Sequence, residues 1–167
     1  MRPFAQVLVI AGLSLSMFAA ESPFTGTWKL KPSNGDAGNS IAKVQADTQH
    51  ITLEQRFVDD KGQSHTVTCD AKFDGKDYSV SGSEEFDSVS VKRVNDKRII
   101  ATWKKSGKRV GTSDVRVSQD GKSQAVNYTD YRGKSPEKST DIYEKQSQVT
   151  VWDCLLSSTK RCSRVIC

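Results

Sequence analysis

From Phe24 to Lys145 the chain is a succession of short segments in which apolar and polar residues alternate, each ended by a turn signal. Alternation sends successive side chains to opposite faces, so each segment is a half-buried strand. Phe24, Gly26, Trp28 and Leu30 share one face, against Thr25, Thr27 and Lys29. Ile51, Leu53, Gln55 and Phe57 alternate in the same way, as do His65, Val67, Cys69, Ala71 and Phe73. Further strands are expected at Ile41 to Ala46, Asp77 to Val80, Ser88 to Val94, Arg98 to Lys105, Lys108 to Ser118, Gln124 to Tyr131 and Lys138 to Lys145. Between them lie Val58 to Gly62, Asp74-Gly75, Asn95 to Lys97, Ser106-Gly107, Gln119 to Gly121 and Arg132 to Pro136, rich in residues that tolerate turn geometry. No stretch of this body carries a convincing helical period.

Sequential hairpins of this regularity predict an all-β fold: a single antiparallel up-and-down β-barrel of about 8–10 strands. Closure is expected because an open sheet of this length leaves two edges able to pair with other chains. It also brings the first and last strands together, placing Trp28 and Tyr143 in one barrel, with the Trp28 indole at its floor. A two-sheet β-sandwich is the alternative.

The rest of the chain sets bounds. Residues 1–20 hold Arg2 as their one charge, followed by a mostly apolar run too short for a confident membrane span. This reads as a signal peptide, so the protein is expected to be exported, periplasmic or secreted. Residues 21–147 form the barrel domain and 148–167 a cysteine-containing tail. The whole chain carries a net charge of +5, and loss of Arg2 leaves 24 basic against 20 acidic residues, or +4. So small an excess does not point to nucleic acid. Cys69 falls on an apolar face, where a free cysteine behaves as a small hydrophobe. Cys154, Cys162 and Cys167 lie in the tail, an odd number that suits one bridge plus a free thiol, or pairing between molecules. Trp152, Leu155 and Leu156 suit either a short helix on the barrel wall or a disordered extension.

The stretch Phe24-Thr25-Gly26-Thr27-Trp28-Lys29-Leu30 resembles the first strand of the calycins, and above all the opening of fatty-acid-binding proteins. Asp141-Ile142-Tyr143-Glu144-Lys145 is similar to the closing strand of that family, and Thr129-Asp130-Tyr131 to the second lipocalin signature. As a whole, the body resembles small exported bacterial lipocalin-like proteins. The resemblance implies a ligand cavity inside the barrel. Two departures qualify it. Lys31 to Ser40 is too short for the helical lid of fatty-acid-binding proteins, and Asp141 stands where that family places the arginine of Arg-x-Tyr. A carboxylate cannot clamp a fatty-acid carboxylate, so a neutral or cationic apolar ligand is expected.

The candidate ligand-binding residues are Trp28, Arg93, Trp103, Tyr128, Asp141 and Tyr143, a set of aromatic rings with a few orienting polar groups. The competing reading is a filled barrel in which Arg93 pairs with Asp141 or Asp130 near one end, the protein then acting through its surface as an envelope interaction or inhibitor protein. From Lys92 to Arg109 eight basic residues stand against Asp96 alone, which predicts weak contact with anionic surfaces. Catalysis is not expected. The only histidines, His50 and His65, sit in no motif, and the tail spacing of Cys154, Cys162 and Cys167 lacks the close pairs of a zinc site. No cofactor or metal is expected, and the protein is expected to be a monomer.

Overall fold

In the computed structural model, residues 21–32, 39–59 and 61–147 are described. The expected signal peptide, the tail with its three cysteines, and Trp152, Leu155 and Leu156 lie outside the described residues. Each alternating segment forms a strand: β1 (Gly26–Leu30), β2 (Ser40–Ala46), β3 (His50–Val58), β4 (Ser64–Lys72), β5 (Asp74–Ser81), β6 (Ser88–Asn95), β7 (Arg98–Lys105), β8 (Lys108–Val117), β9 (Ser123–Asp130) and β10 (Glu137–Lys145). Every strand pairs antiparallel with its neighbours in the chain, and β1 pairs with β10, so the ten form a closed up-and-down barrel. The sandwich alternative is excluded, since one continuous sheet returns to its own first strand.

Closure rests on a short ladder. Trp28 faces Lys145, Lys29 faces Glu144 and Leu30 faces Tyr143. Two flanking bonds extend it: Lys31 N–H donates to the Ile142 carbonyl and Gln146 N–H to the Thr27 carbonyl, both at 2.8 Å. With edges joined, no strand among the described residues is left as a template for another chain.

One turn differs from expectation. Asp74 and Gly75, which read as a hairpin turn, already belong to β5, because Asp74 pairs with Lys92 of β6 across a register shift before Asp77 faces Ser90. A bulge of this kind lets the chain turn off β4 while it enters the ladder with β6.

Since β1 runs from Gly26 to Leu30 and each neighbour reverses, all ten strands share two ends. The floor gathers Phe24, the β2–β3 and β4–β5 turns and the end of β6. The mouth gathers the β3–β4, β5–β6, β7–β8 and β9–β10 connections. Trp28 has no exposed surface and Phe24 1%. The Trp28 indole N–H donates to the Phe24 carbonyl at 2.9 Å, so the one polar atom of the ring is satisfied and the floor is tied to the strand that follows it. The Lys145 ammonium lies 5.5 Å from the Trp28 ring centroid. Val89, Val91, Ile99, Ala101 and Val117 bury the inner faces of β6, β7 and β8, each large apolar side chain contributing about 1.5–3 kcal/mol.

On the outer wall, Asp114 of β8 accepts two bonds of 2.9 Å from the Arg98 guanidinium of β7 and lies 2.8 Å from Arg116. The bonds from Arg116 and Arg98 hold the Asp114 carboxyl down to about 2. A carboxyl lowered on folding contributes stability that is complete above its unfolded value, about 3.9, and lost as pH falls through 2. The site is partly solvated, so the contribution is expected to be about 1 kcal/mol or less. Asp114→Asn should therefore lower urea stability by that amount at pH 7, with the gap from the wild type narrowing steadily between about pH 4 and pH 2. A gap that stays constant over this range would show that the ionised pair contributes nothing.

Candidate functional site

The inward faces of the strands do not meet at the barrel axis. They line a partly open cavity of about 240 Å³, bordered by Phe24 and by apolar side chains including Val44, Ile51, Val89, Val91 and Ile99. Its polar lining is sparse: Gln55, Ser113, Gln124, Tyr128, Asp141 and Tyr143. Gln55, Phe86, Asp141 and Tyr143 also border the open vestibule at the mouth, so cavity and vestibule adjoin at that level.

Four of the six expected residues stand on the cavity wall: Trp103, Tyr128, Asp141 and Tyr143. Their strands explain the convergence. Trp103 of β7 points inward because Ile99, Ala101 and Trp103 are in phase, and its indole N–H donates to Ser113 Oγ of β8 at 2.8 Å. Tyr128 of β9 faces Ser113 in register, and its ring crosses β8 at Gly111. A Cβ built on Gly111 would fall 2.2 Å from the Tyr128 hydroxyl, so the absence of a side chain there creates the ring's seat. Burial, then the charge of Asp130, pushes the Tyr128 hydroxyl up, which keeps it protonated and able to donate. Tyr143 is 6% exposed, and its hydroxyl accepts a 3.2 Å bond from Gln55 Nε2, which also donates to Ser40 Oγ at 3.0 Å.

The other two stand elsewhere. Trp28 does not line the cavity; Phe24, whose carbonyl accepts the Trp28 indole N–H, does. Arg93 corrects the expected pairing with Asp141 or Asp130. β6 descends from mouth to floor, so residue 93 sits near the floor, whereas Asp130 lies at the mouth and is held by Arg132 Nη2 at 2.5 Å. Arg93 instead donates to the Asp47 carbonyl and lies 4.4 Å over the Phe73 ring, bracing the β2–β3 and β4–β5 turns. Alternation alone identified it as inward but could not say at which end.

Phe86 and Gln55 were not singled out from the sequence. Gln55 carried a signal, being in phase with Ile51, Leu53 and Phe57. Phe86 lies in the β5–β6 connection among acidic residues, where no periodicity applies. It packs 4.7 Å from the Trp103 ring and roofs part of the cavity. Its connection is tied across the mouth by the Glu85 carboxylate, 2.8 Å from Arg132 Nη1 of the β9–β10 connection.

Cys69 also lines the cavity. Burial pushes its thiol up to about 11, so at neutral pH it is an unreactive apolar group. His65 lies at the mouth, 2.8 Å from the Asp59 carboxylate and stacked on Phe57 with centroids 5.3 Å apart; its hydrogen bond lowers the Asp59 carboxyl. His50 is the exposed first residue of β3. Among the described residues, no group of three or more His, Cys, Asp or Glu side chains could hold a metal ion.

The basic run from Lys92 to Arg109 divides over both faces. Arg93 points in, Arg98 is held by Asp114, and Lys104 lies 2.7 Å from Asp77. Lys97 donates to Gln119, and the Arg109 guanidinium lies 4.1 Å over the Tyr131 ring. Lys105 and Lys108 are exposed at the β7–β8 hairpin. Compared with protein-family models, curated proteins and solved structures, the chain matches none.

Proposed function

We propose that this protein is an exported binding protein of the lipocalin-like kind, which holds one small apolar molecule inside the barrel and performs no chemistry on it. The observation that carries this reading is the cavity of about 240 Å³ with its mostly apolar wall. For comparison, a dry apolar cavity of about 150 Å³ admits benzene, so this one suits a molecule of one to two rings or a chain of similar bulk. The few polar groups, Tyr128, Asp141, Tyr143 and Gln55, orient such a molecule, and Trp103 contributes an indole face. The apolar leader supports export. Among the described residues no arginine or lysine lines the cavity, which supports a neutral or cationic ligand over a fatty acid.

The test fills the cavity. Ala101 is 6% exposed and lies on the wall. Ala101→Phe should keep the fold, with a stability change under about 1.5 kcal/mol because the added ring enters existing space. It should weaken binding of a neutral naphthalene-type fluorescent probe by tenfold or more. Equal probe binding by the folded variant and the wild type would exclude the cavity as the site.

A further inference from the structure

We infer that the barrel selects a neutral ligand with a carboxamide-type group, which pairs with the side-chain amide of Gln124 while the ring or chain that bears it fills the apolar part of the cavity. This rests on the proposed reading of the barrel as a ligand carrier and specifies its ligand class. The observation that points to it is a buried amide without a partner. Gln124 of β9 is in phase with Val126 and Tyr128, so its side chain turns inward, and it lines the cavity while only 7% exposed. Among the described residues its side-chain amide makes no hydrogen bond. Its ladder neighbours are Val117 of β8, which is apolar, and Tyr143 of β10, whose hydroxyl is engaged by Gln55. Keeping an amide out of water without a partner costs free energy that an apolar side chain of the same shape does not. Buried side-chain amides are as a rule hydrogen-bonded. One left in this state, facing a space large enough for a small molecule, marks a partner from outside the chain.

The surroundings define the shape of that partner. The other groups with unused capacity stand on the same two strands. Ser113 of β8 is 6% exposed, and its oxygen accepts the Trp103 indole N–H, which leaves its own O–H as a donor. Tyr128 of β9 faces Ser113 in register, and its hydroxyl makes no hydrogen bond among the described residues. Halfway round the ring of strands, β3 and β4 present Ile51, Leu53 and Cys69 to the cavity. Gln55, the polar residue on that side, already donates to Ser40 and Tyr143. A cavity with one polar wall opposite an apolar one suits a flat molecule with polar atoms along one edge.

Hydrogen-bond capacity then defines the group. The Gln124 amide offers N–H donors and a carbonyl acceptor side by side. A primary carboxamide or a lactam answers both at once. A hydroxyl answers one, and a hydrocarbon neither. An ammonium group offers donors alone, and a carboxylate offers acceptors alone. The carboxylate would also bring a negative charge to a wall that holds no lysine or arginine among the described residues. Asp141, the charged residue on that wall, already has a partner, so the unused capacity is neutral.

The experiment titrates the full protein with naphthamide, naphthalene and naphthoate, which share one ring system and differ in the polar group. Calorimetry supplies the readout. Naphthamide should bind about tenfold tighter than naphthalene, the combined effect of two hydrogen bonds, with naphthoate weakest. In Gln124→Leu the preference for naphthamide over naphthalene should disappear. The urea midpoint of the ligand-free variant should stay at or above that of the wild type, because an unpaired amide gives way to an apolar side chain of similar shape. Naphthalene binding the wild type as tightly as naphthamide would overturn the carboxamide assignment while leaving the apolar carrier intact, as would naphthoate binding best. If none of the three binds, the carrier reading falls and this assignment with it. A clear drop in the urea midpoint would show that the Gln124 amide is already bonded within the chain and would also overturn the assignment. The wild-type series decides the ligand class independently of the variant.

Discussion

Trp28→Ala is expected to destabilise the barrel by about 3–5 kcal/mol, the cost of truncating a fully buried large aromatic side chain. The magnitude follows from what the ring does. It has no exposed surface, and its indole N–H is bonded to the Phe24 carbonyl near the base of the barrel. Truncation leaves a void at the floor and a carbonyl without its donor. It also loosens β1, which joins β10 through only three residue pairs. Urea denaturation should show the midpoint falling steeply. Trp28→Phe retains much of the volume but not the donor, and should cost about 1–2 kcal/mol, within the range for a buried carbonyl left without its donor. If alanine costs no more than phenylalanine, the floor is not where the barrel is held together.

Gly82→Ala should cost about 3 kcal/mol or more, through backbone rather than side-chain packing. Gly82 follows β5 with φ +80°, a conformation that L side chains rarely adopt, and a Cβ there would fall 1.9 Å from the Thr66 carbonyl oxygen of β4. The obstacle is main chain within a paired strand, so the β5–β6 connection must move away from β4. Left-handed strain alone costs of order 1–3 kcal/mol, and the displacement adds to it. Gly62 supplies the control. Its φ is +77°, but nothing lies within 4 Å of its Cβ direction, so Gly62→Ala should cost only about 1 kcal/mol. The connection displaced in Gly82→Ala carries Phe86, which touches Trp103, so the indole emission of Trp103 should shift in this variant and not in Gly62→Ala. Equal stability losses in the two variants would show that strain, not the approach of β5 to β4, dominates at the mouth.

The two predictions mark different kinds of legibility. Trp28 was readable as a floor residue because it stands in phase with Phe24 and Leu30. The need for glycine at position 82 was not readable, because it arises from the closeness of Thr66, sixteen residues earlier in the chain. Gly111 teaches the same lesson. Its role is to seat the ring of Tyr128, and only the register of β8 against β9 reveals it. Phe86 belongs with these, since a connection has no period from which an inward direction can be read.

Alternation and turn chemistry by themselves determined the class of fold, the approximate extent of most strands, the inward faces of β1, β3 and β4 and the pairing of first with last. These are local properties, or follow from neighbours in the chain pairing in order. Tertiary structure alone decided that the inner faces leave a space of about 240 Å³ instead of filling it. It also decided that Arg93 braces the floor while Asp141 stands near the mouth, and that carboxylates from separate connections gather there. Those outcomes depend on where each residue lies along its strand and on how side chains from distant strands share volume and charge, and a period of two contains neither quantity.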